Sequence, residues 1–168
     1  PDKDVDGMTT WSLGALVTGA AGFAPCTAEA CMDLLRAHGI DPAGKRVTVV
    51  GRSLVIGRPA ALLLTRADAT VTLCHRKTPD LAARCRAADI LLAAAGAPGL
   101  ITPECVRPGQ IVLDAGATAL PDGTLRGDVT PAAAAIAACT PVPGGIGSVT
   151  TALLLRHTVQ AAEKSHHF

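Results

Sequence analysis

The chain has 168 residues, of which 49% are hydrophobic and 17% are charged, and its formal net charge is +1. This length favours one compact domain, and a nearly neutral chain without long runs of like charge has no electrostatic signal for binding nucleic acid or an anionic membrane. The apolar runs, such as residues 90–101, are interrupted by Gly and Pro and fall short of a membrane-spanning length, so we expect a soluble, cytoplasmic protein.

The six cysteines indicate the redox environment. They are scattered through predicted strands and helices without a C-x-x-C pair, at Cys26, Cys31, Cys74, Cys85, Cys105 and Cys139. This pattern favours free, buried thiols in a reducing compartment over a zinc site or a cysteine nucleophile, and no metal is predicted. The chain begins P-D-K-D-V-D-G without an initiator methionine, and we therefore expect it to be part of a longer polypeptide.

The first predicted helix follows an opening loop. Thr27 is placed to cap a helix over residues 28–38, whose apolar residues recur at helical spacing, and Gly39 is placed to end it. Residues 46–51 then form a short β-branched run bounded by turn residues, which predicts a strand that is covered on both faces.

The elements after this strand alternate between helix and strand. In chain order we predict a helix at 58–67, a strand at 69–75, a helix at 81–88, strands at 89–96 and 110–116, a turn at 121–123, a short helix at 131–138, a strand near 139–143 and a helix at 150–164. Thr78, Pro79 and Asp80 are placed to supply an N-cap, a first-turn proline and a first-turn acid for the helix at 81–88. On the last helix, His157 has helical spacing with apolar residues, which favours a packing or surface role over catalysis.

This alternation predicts an α/β fold, namely a doubly wound, Rossmann-like parallel sheet with helices on both faces, since parallel strands need right-handed crossovers. Sheets of this kind bind ligands outside the carboxyl ends of their strands, at the point where the strand order reverses. We therefore expect the functional site among residues 51–57, 75–78, 96–99 and 115–118.

A glycine turn follows the first predicted strand. In a nucleotide-binding unit, glycines let the backbone approach a pyrophosphate, and the next helix directs its unpaired N–H groups at the anion. Gly51 and Gly57 supply only part of that fingerprint, so a plain tight connection between strand and helix remains an alternative.

The end of the next strand distinguishes the two nicotinamide cofactors. An NAD site places Asp or Glu there, whereas a 2′-phosphate requires cationic or hydroxyl groups. This chain has His75, Arg76 and Lys77, with no acid before Asp80, and Arg76 lies 25 positions after the first glycine of the turn, where the expected interval is about twenty. The pattern favours NADP over NAD, with a solvated basic strand end as the alternative.

Four segments resemble the motifs of bifunctional methylenetetrahydrofolate dehydrogenase/methenyltetrahydrofolate cyclohydrolases. They are P-D-K-D-V-D-G at residues 1–7, G-R-S-L-V-I-G-R-P at 51–59, A-T-V-T-L-C-H-R-K-T at 69–78 and P-V-P-G-G-I-G-S-V-T at 141–150. The match runs in order over essentially the whole chain. The resemblance implies NADP as cofactor, with cofactor contacts from Gly51, Arg52, Ser53, Ile56, His75, Arg76 and Ala117. Among these, Arg76 is implied to face the 2′-phosphate and Ala117 to lie beside the nicotinamide.

The resemblance also implies a folate site. Asp6 resembles the family aspartate that contacts the pterin ring, and one carboxylate can accept two hydrogen bonds from the amino-pyrimidinone edge of a pterin. Pro143, Gly144 and Gly147 belong to the motif that brings backbone against the folate. Without the family context, Asp6 would be placed in a common Asp-Gly turn and the proline-glycine motif in a tight loop before a helix.

The catalytic pair of this family is a Tyr-x-x-x-Lys motif in an amino-terminal domain, and this chain contains no tyrosine. No catalytic residue is therefore expected in this chain. We expect residues 27–147 to form the NADP-binding domain, and segments 1–26 and 148–168 to pack on a catalytic domain that precedes them.

By the same resemblance, the parent enzyme is a homodimer that oxidises 5,10-methylenetetrahydrofolate to 5,10-methenyltetrahydrofolate with NADP, then hydrolyses the product to 10-formyltetrahydrofolate. Two alternatives stay open, a different NADP-dependent dehydrogenase of the shikimate dehydrogenase type and a nucleotide-binding remnant without folate turnover. Departures from the family pattern at Ser12, Ala117, Thr118, Ser148 and Val149 keep the second alternative open.

Overall fold

The computed structural model describes residues 3–165; Pro1, Asp2 and residues 166–168, which belong to the two predicted flanking segments, lie outside the described residues. The helices are α1 (Thr10–Thr18), α2 (Cys26–Ala37), α3 (Gly57–Arg66), α4 (Leu81–Ala87), α5 (Pro131–Ala134) and α6 (Ile146–Ser165), with a 3₁₀ turn at Pro103–Cys105. The strands are β1 (Arg46–Val50), β2 (Thr70–Cys74), β3 (Ile90–Ala93), β4 (Ile111–Asp114), β5 (Thr118–Ala119), β6 (Leu125–Arg126) and β7 (Ala138–Cys139).

In the described part of the chain, β1, β2, β3, β4 and β7 form one parallel sheet in the order β2-β1-β3-β4-β7, and β5 pairs with β6 in a small antiparallel hairpin. β1 pairs with β2 on one side and with β3 on the other, so the strand order reverses between β1 and β3. The doubly wound parallel sheet that the alternating pattern predicts is confirmed. A ligand cleft is expected beyond Val50 and Ala93, where these two strands end.

Helices cover both faces of the sheet. Leu91 and Leu92 are neighbours in β3 and both are fully buried, yet they belong to different hydrophobic clusters of the described residues. One cluster joins the sheet to α2, α3 and α6, and the other joins it to α4 and α5. Because successive side chains of a strand point to opposite faces, each core strand needs apolar residues at every position. The continuous apolar runs in the sequence follow from this double burial.

The start of α2 differs from the expectation. Thr27 was expected to cap the helix, but α2 begins two residues earlier than predicted, at Cys26, and Pro25 at the cap position provides no side-chain cap. Cys26 is buried and lies against Val5 and His157, so contacts from distant parts of the chain hold it in the first turn. The predicted capping role of Thr27 is wrong, whereas Gly39 ends the helix with a φ of 66° as expected.

The start of α4 also differs. The residue before the helix is Asp80 in the left-handed conformation, with a φ of 52° and no side-chain cap. The Thr78 hydroxyl instead accepts a hydrogen bond from the His75 amide at 2.9 Å, and so closes the turn that follows β2. Thr78 is therefore a turn residue rather than the helix cap that the pattern predicted.

Helix α1 lies where the sequence predicts a loop. Its apolar residues have no clear helical period and Gly14 lies near its middle, so the usual signal is weak. Its start is specified by polar contacts: the Thr9 hydroxyl accepts from the Ser12 amide at 3.3 Å, and the Asp4 carboxylate accepts from the Thr9 amide at 2.8 Å. At the other end of the chain, α6 begins four residues earlier than expected, at Ile146. No helix in residues 3–165 combines the length and apolarity needed to cross a bilayer.

Candidate functional site

Gly51 lies where β1 ends, and its backbone contacts the end of β3. Its φ is 123°, a conformation that favours glycine, and a methyl group added to it would overlap the carbonyl group of Ala94. Gly57, the first residue of α3, is packed as closely, because a Cβ there would overlap the carbonyl group of Gly51. The turn therefore presents bare backbone at the point where the strand order reverses, with the start of α3 directly over it.

Ser53 organises the loop between these two glycines. Its hydroxyl accepts a hydrogen bond from the Ile56 amide at 3.1 Å, and its carbonyl accepts one from the Arg58 amide at 3.0 Å. The loop thus has a defined shape ahead of α3, and the residues Arg52 and Arg58 on either side of it are exposed. Exposed cations beside a helix N-terminus favour an anionic ligand.

The basic strand end of β2 lies beside this turn. The Gly51 amide donates to the Cys74 carbonyl at 2.9 Å, so the segments that leave β1 and β2 start from neighbouring positions. His75 is half-buried, and its Nδ1 accepts from the Lys77 amide at 3.1 Å. This bond and the Thr78 contact hold the turn, while Arg76 at its tip stays exposed and available to an anion.

A cleft of about 440 Å³ lies along the carboxyl ends of the strands, next to the glycine turn. It brings together five of the residues implied by the resemblance, namely Ile56, Ala117, Pro143, Gly144 and Gly147. Gly51, Arg52, Ser53, His75 and Arg76 lie at the neighbouring strand ends and do not line it. The predicted residues therefore form two adjoining parts, a basic glycine turn and a mostly apolar cleft.

Asp6 lies outside the lining of this cleft, in a turn closed by the Gly7 amide, which donates to the Asp4 carbonyl at 3.1 Å. The expected Asp-Gly turn is thus present, and Asp6 itself is exposed. Burial and then a hydrogen bond with the Asp6 carboxylate raise the pKa of the Cys26 thiol to about 12. Cys26 precedes Thr27, which lines the cleft, and its thiol donates to the Val5 carbonyl, so the turn that carries Asp6 contacts the residue next to the cleft wall.

Two buried carboxylates that we did not single out in the sequence hold the loops around the cleft. Asp128 is fully buried and accepts hydrogen bonds from the backbone amides of Ala95 at 2.6 Å, Gly96 at 3.1 Å and Ala97 at 2.7 Å. It therefore fixes the loop after β3, which faces Gly51. The only sequence signal is an Asp between a glycine and an apolar residue, which is too common to identify such a site.

Asp114, the last residue of β4, is the second of these carboxylates and lines the cleft. It accepts from the amides of Gly116, Asp128 and Val129, each at 3.0 Å. Burial raises the pKa of Asp114, although these amide bonds oppose the shift. A Cβ on Gly116 would overlap Asp128, and one on Gly127 would overlap the Asp114 carboxylate, so glycines permit this close packing.

The cysteines form no reactive centre among the described residues. All six are free thiols, and all but Cys139 are buried. Burial raises the pKa of Cys31 and of Cys85 to about 12, so these thiols stay protonated and are poor nucleophiles. Within residues 3–165 there is also no group of three or more His, Cys, Asp or Glu side chains arranged to hold a metal ion.

Comparison with known proteins identifies the family of the chain. Residues 25–166 match the family model described as tetrahydrofolate dehydrogenase/cyclohydrolase, NAD(P)-binding domain. Bifunctional protein FolD 1 of Rhodococcus jostii is 57% identical over 164 residues, which are 96% of this chain and 55% of that protein. The chain thus spans somewhat more than half the length of such curated relatives.

Solved structures give the same result. The bifunctional enzyme FolD of Campylobacter jejuni superposes with a TM-score of 0.92 at 42% identity, covering 97% of this chain and 59% of that one. The Trypanosoma brucei methylenetetrahydrofolate dehydrogenase-cyclohydrolase, solved with NADP and an inhibitor, also has a TM-score of 0.92 at 42% identity and covers 100% of this chain and 61% of that one.

Proposed function

The chain belongs to the tetrahydrofolate dehydrogenase/cyclohydrolase family, and on that premise we propose that it supplies the NADP site and part of the folate site of a bifunctional methylenetetrahydrofolate dehydrogenase/cyclohydrolase. The observation that carries the proposal is the glycine turn at the reversal of strand order, which adjoins a cleft lined by the proline-glycine motif. The parent activity is oxidation of 5,10-methylenetetrahydrofolate to 5,10-methenyltetrahydrofolate, followed by hydrolysis to 10-formyltetrahydrofolate.

The shape of the turn supports a bound pyrophosphate. Side chains at Gly51 or Gly57 would fill the space against the backbone, so only bare peptide groups lie there. The Ser53 hydroxyl adds a hydrogen-bonding group, and Arg52 adds a positive charge. Such a cradle suits a phosphate anion, because backbone N–H groups and the helix dipole both stabilise negative charge.

The end of β2 supports NADP over NAD. Arg76 is exposed at the tip of a turn that His75 and Thr78 hold in place, beside the glycine turn. A guanidinium there would pair with the 2′-phosphate, and the described turn provides no carboxylate for ribose hydroxyls.

The cleft is the place where the reacting ends of both ligands would lie. Ala117 and the backbone of Pro143, Gly144 and Gly147 line it, so the nicotinamide and the folate would meet there. When bound, NADP supplies the hydride acceptor. The residues of this chain position the two ligands and exclude water from the space between them. Asp6 would accept hydrogen bonds from the pterin ring.

The flanking segments would pack on a further domain that completes the folate site. Trp11 and Val17 on α1 are 52% and 65% exposed, and Leu155 and Val159 on α6 are 66% and 58% exposed. Large apolar side chains with this exposure on two helices favour a covering partner. On this basis we propose a division into an NADP-binding domain at 27–147 and packing segments on either side.

We also propose a homodimer in the cytoplasm. An apolar groove of about 710 Å³ runs beside β7, the edge strand of the sheet, and offers a surface for a second copy. The free thiols support a reducing compartment.

The test is the formation of NADPH by the protein that carries this chain, with 5,10-methylenetetrahydrofolate as substrate. We expect turnover with NADP, a clear preference for NADP over NAD, and 10-formyltetrahydrofolate as the final product. Tight NADP binding with no folate oxidation would instead identify a nucleotide-binding remnant. Oxidation of an alcohol with NADP, without oxidation of the folate, would favour another dehydrogenase.

A further inference from the structure

His157 holds the segment that carries Asp6 in place. It is 2% exposed and lies on α6, and its Nδ1 is 2.8 Å from the carbonyl oxygen of Val5. A carbonyl oxygen only accepts hydrogen bonds, so Nδ1 is the donor in this contact. The helix therefore binds the peptide directly before Asp6, across 152 positions of the sequence.

The other contacts of the ring fix its orientation. Its Nε2 is 3.3 Å from Oε2 of Glu29 on α2, and the ring stacks on Phe23 with centroids 4.4 Å apart. Further charged groups lie on the same elements, since Arg156 pairs with Glu29 at 2.8 Å and Lys164 lies over the Phe23 ring at 5.0 Å. The imidazole is thus enclosed by Val5, Glu29 and Phe23, and this packing fixes the direction of its N–H toward Val5.

The Asp6 turn is held from the other side as well. Gly7 has a φ of 67°, and a Cβ there would overlap the backbone of Ala24. The Cys26 thiol lies 3.5 Å from the Val5 carbonyl and 3.5 Å from His157 Nδ1. Two short segments of the chain are therefore clamped together, with the Asp6 carboxylate at their exposed edge.

Cys26, His157 and Glu29 are neighbours in space, with the imidazole between the thiol and the carboxylate. They nevertheless do not form a nucleophilic centre. Cys26 is 1% exposed, and burial followed by its contact with Asp6 raises its pKa to about 12. The proton on Nδ1 is directed at the Val5 carbonyl rather than at a substrate. The arrangement suits a positioning role.

We propose that His157 is a positioning residue for Asp6: through the Val5 carbonyl it fixes the turn from which the Asp6 carboxylate binds the pterin ring. This inference rests on the proposed function, because Asp6 needs a folate ligand. It predicts that loss of the N–H to Val5 weakens folate binding while the NADP site, at the ends of β1 and β2, keeps its affinity.

Two substitutions separate the contacts of the ring. In His157→Asn the side-chain amide nitrogen is attached to Cγ, as Nδ1 is, so the donor to Val5 is kept. In His157→Gln the amide lies farther out, near the position of Nε2, so the contact with Glu29 is kept and the donor to Val5 is lost. Thr158→Ala is the control, because Thr158 is exposed on the same helix and bonds only to the Leu154 carbonyl among the contacts described.

The experiment measures KM for 5,10-methylenetetrahydrofolate and Kd for NADP in the protein that carries this chain. We expect His157→Gln to raise KM about three- to tenfold, the range for one lost hydrogen bond to a buried acceptor, and His157→Asn to stay within about twofold of the parent. Kd for NADP should stay unchanged in both. In an Asp6→Asn background, which itself raises KM, His157→Gln should add little, because both changes act on one contact.

The outcomes are distinguishable. A parent protein that does not oxidise 5,10-methylenetetrahydrofolate would overturn the proposed function, and this inference with it. If the parent is active, an unchanged KM in His157→Gln would overturn the inference alone. So would equal damage by the Asn and Gln variants, or a parallel loss of NADP affinity, because either result would indicate a general structural defect.

Discussion

Replacement of Asp128 tests whether buried carboxylates hold the loops of the site. Asp128→Ala removes the acceptor for the amides of Ala95, Gly96 and Ala97, whose hydrogen bonds are 2.6, 3.1 and 2.7 Å long. A buried donor left without a partner costs about 1–3 kcal/mol, and some of these amides can regain water once the side chain is gone. We therefore expect the free energy of unfolding to fall by about 3–6 kcal/mol, a large part of the roughly 5–15 kcal/mol typical of a domain.

Urea unfolding with linear extrapolation measures this change. Asp128→Asn keeps one acceptor oxygen, so its loss should be about half as large. Asp122→Ala is the control, because Asp122 also accepts a hydrogen bond from a backbone amide, that of Thr124 at 2.9 Å, but in an exposed hairpin. The control should change stability far less, since water can replace the lost acceptor there. A loss of under about 1 kcal/mol in Asp128→Ala would refute the reasoning, because it would mean that these amides do not depend on the carboxylate.

Three further predictions concern the cofactor site and the first helix. Arg76→Ala should weaken NADP binding about ten- to hundredfold and leave NAD binding unchanged, because only NADP has the 2′-phosphate. Titration of both cofactors checks this prediction. An unchanged preference for NADP over NAD would contradict the assignment of Arg76. Gly51→Ala should lower both NADP affinity and the melting temperature, because the new methyl group would overlap the Ala94 carbonyl and the φ of 123° disfavours a side chain. Equal NADP affinity in variant and parent would argue against the glycine turn as a phosphate cradle. Burial opposes ionisation of Asp4, but hydrogen bonds from Ser12, Thr9 and Met8 outweigh it and lower its pKa to about 2. The stability from this carboxylate should therefore be present above its ordinary pKa of 3.8 and be lost as the pH falls toward 2, and Asp4→Asn should lack this loss when unfolding is followed against pH.

Much of the cofactor half could be predicted from local pattern. The apolar runs of β1 and β3 predict buried strands because both faces of each strand are covered. Gly51 and Arg76 mark the ends of neighbouring strands, since parallel strands all end at one edge of the sheet. Arg76, the cation at the end of β2, could be interpreted as a phosphate ligand for the same reason.

Other features could not be predicted, because their partners are far away in the sequence. Thr27 and Thr78 are both of a residue type that commonly caps helices. Thr27 nevertheless lies inside a helix that starts earlier, and Thr78 closes a turn. The bond between Asp128 and the loop after β3 spans more than 30 positions, and that between His157 and Val5 spans 152. A local window shows a polar residue at such positions but does not show its partner.

The sequence by itself determined the alternating strands and helices of the parallel sheet, the glycine turn and the basic strand end, because burial periodicity and backbone freedom are properties of neighbouring residues. Only the tertiary structure decided which polar groups meet, namely Asp128 with the loop after β3, Asp114 with the Asp128 amide, and His157 with the Asp6 turn. The physical reason is that a buried polar group must find a partner, and packing of distant segments decides which donor or acceptor lies within reach.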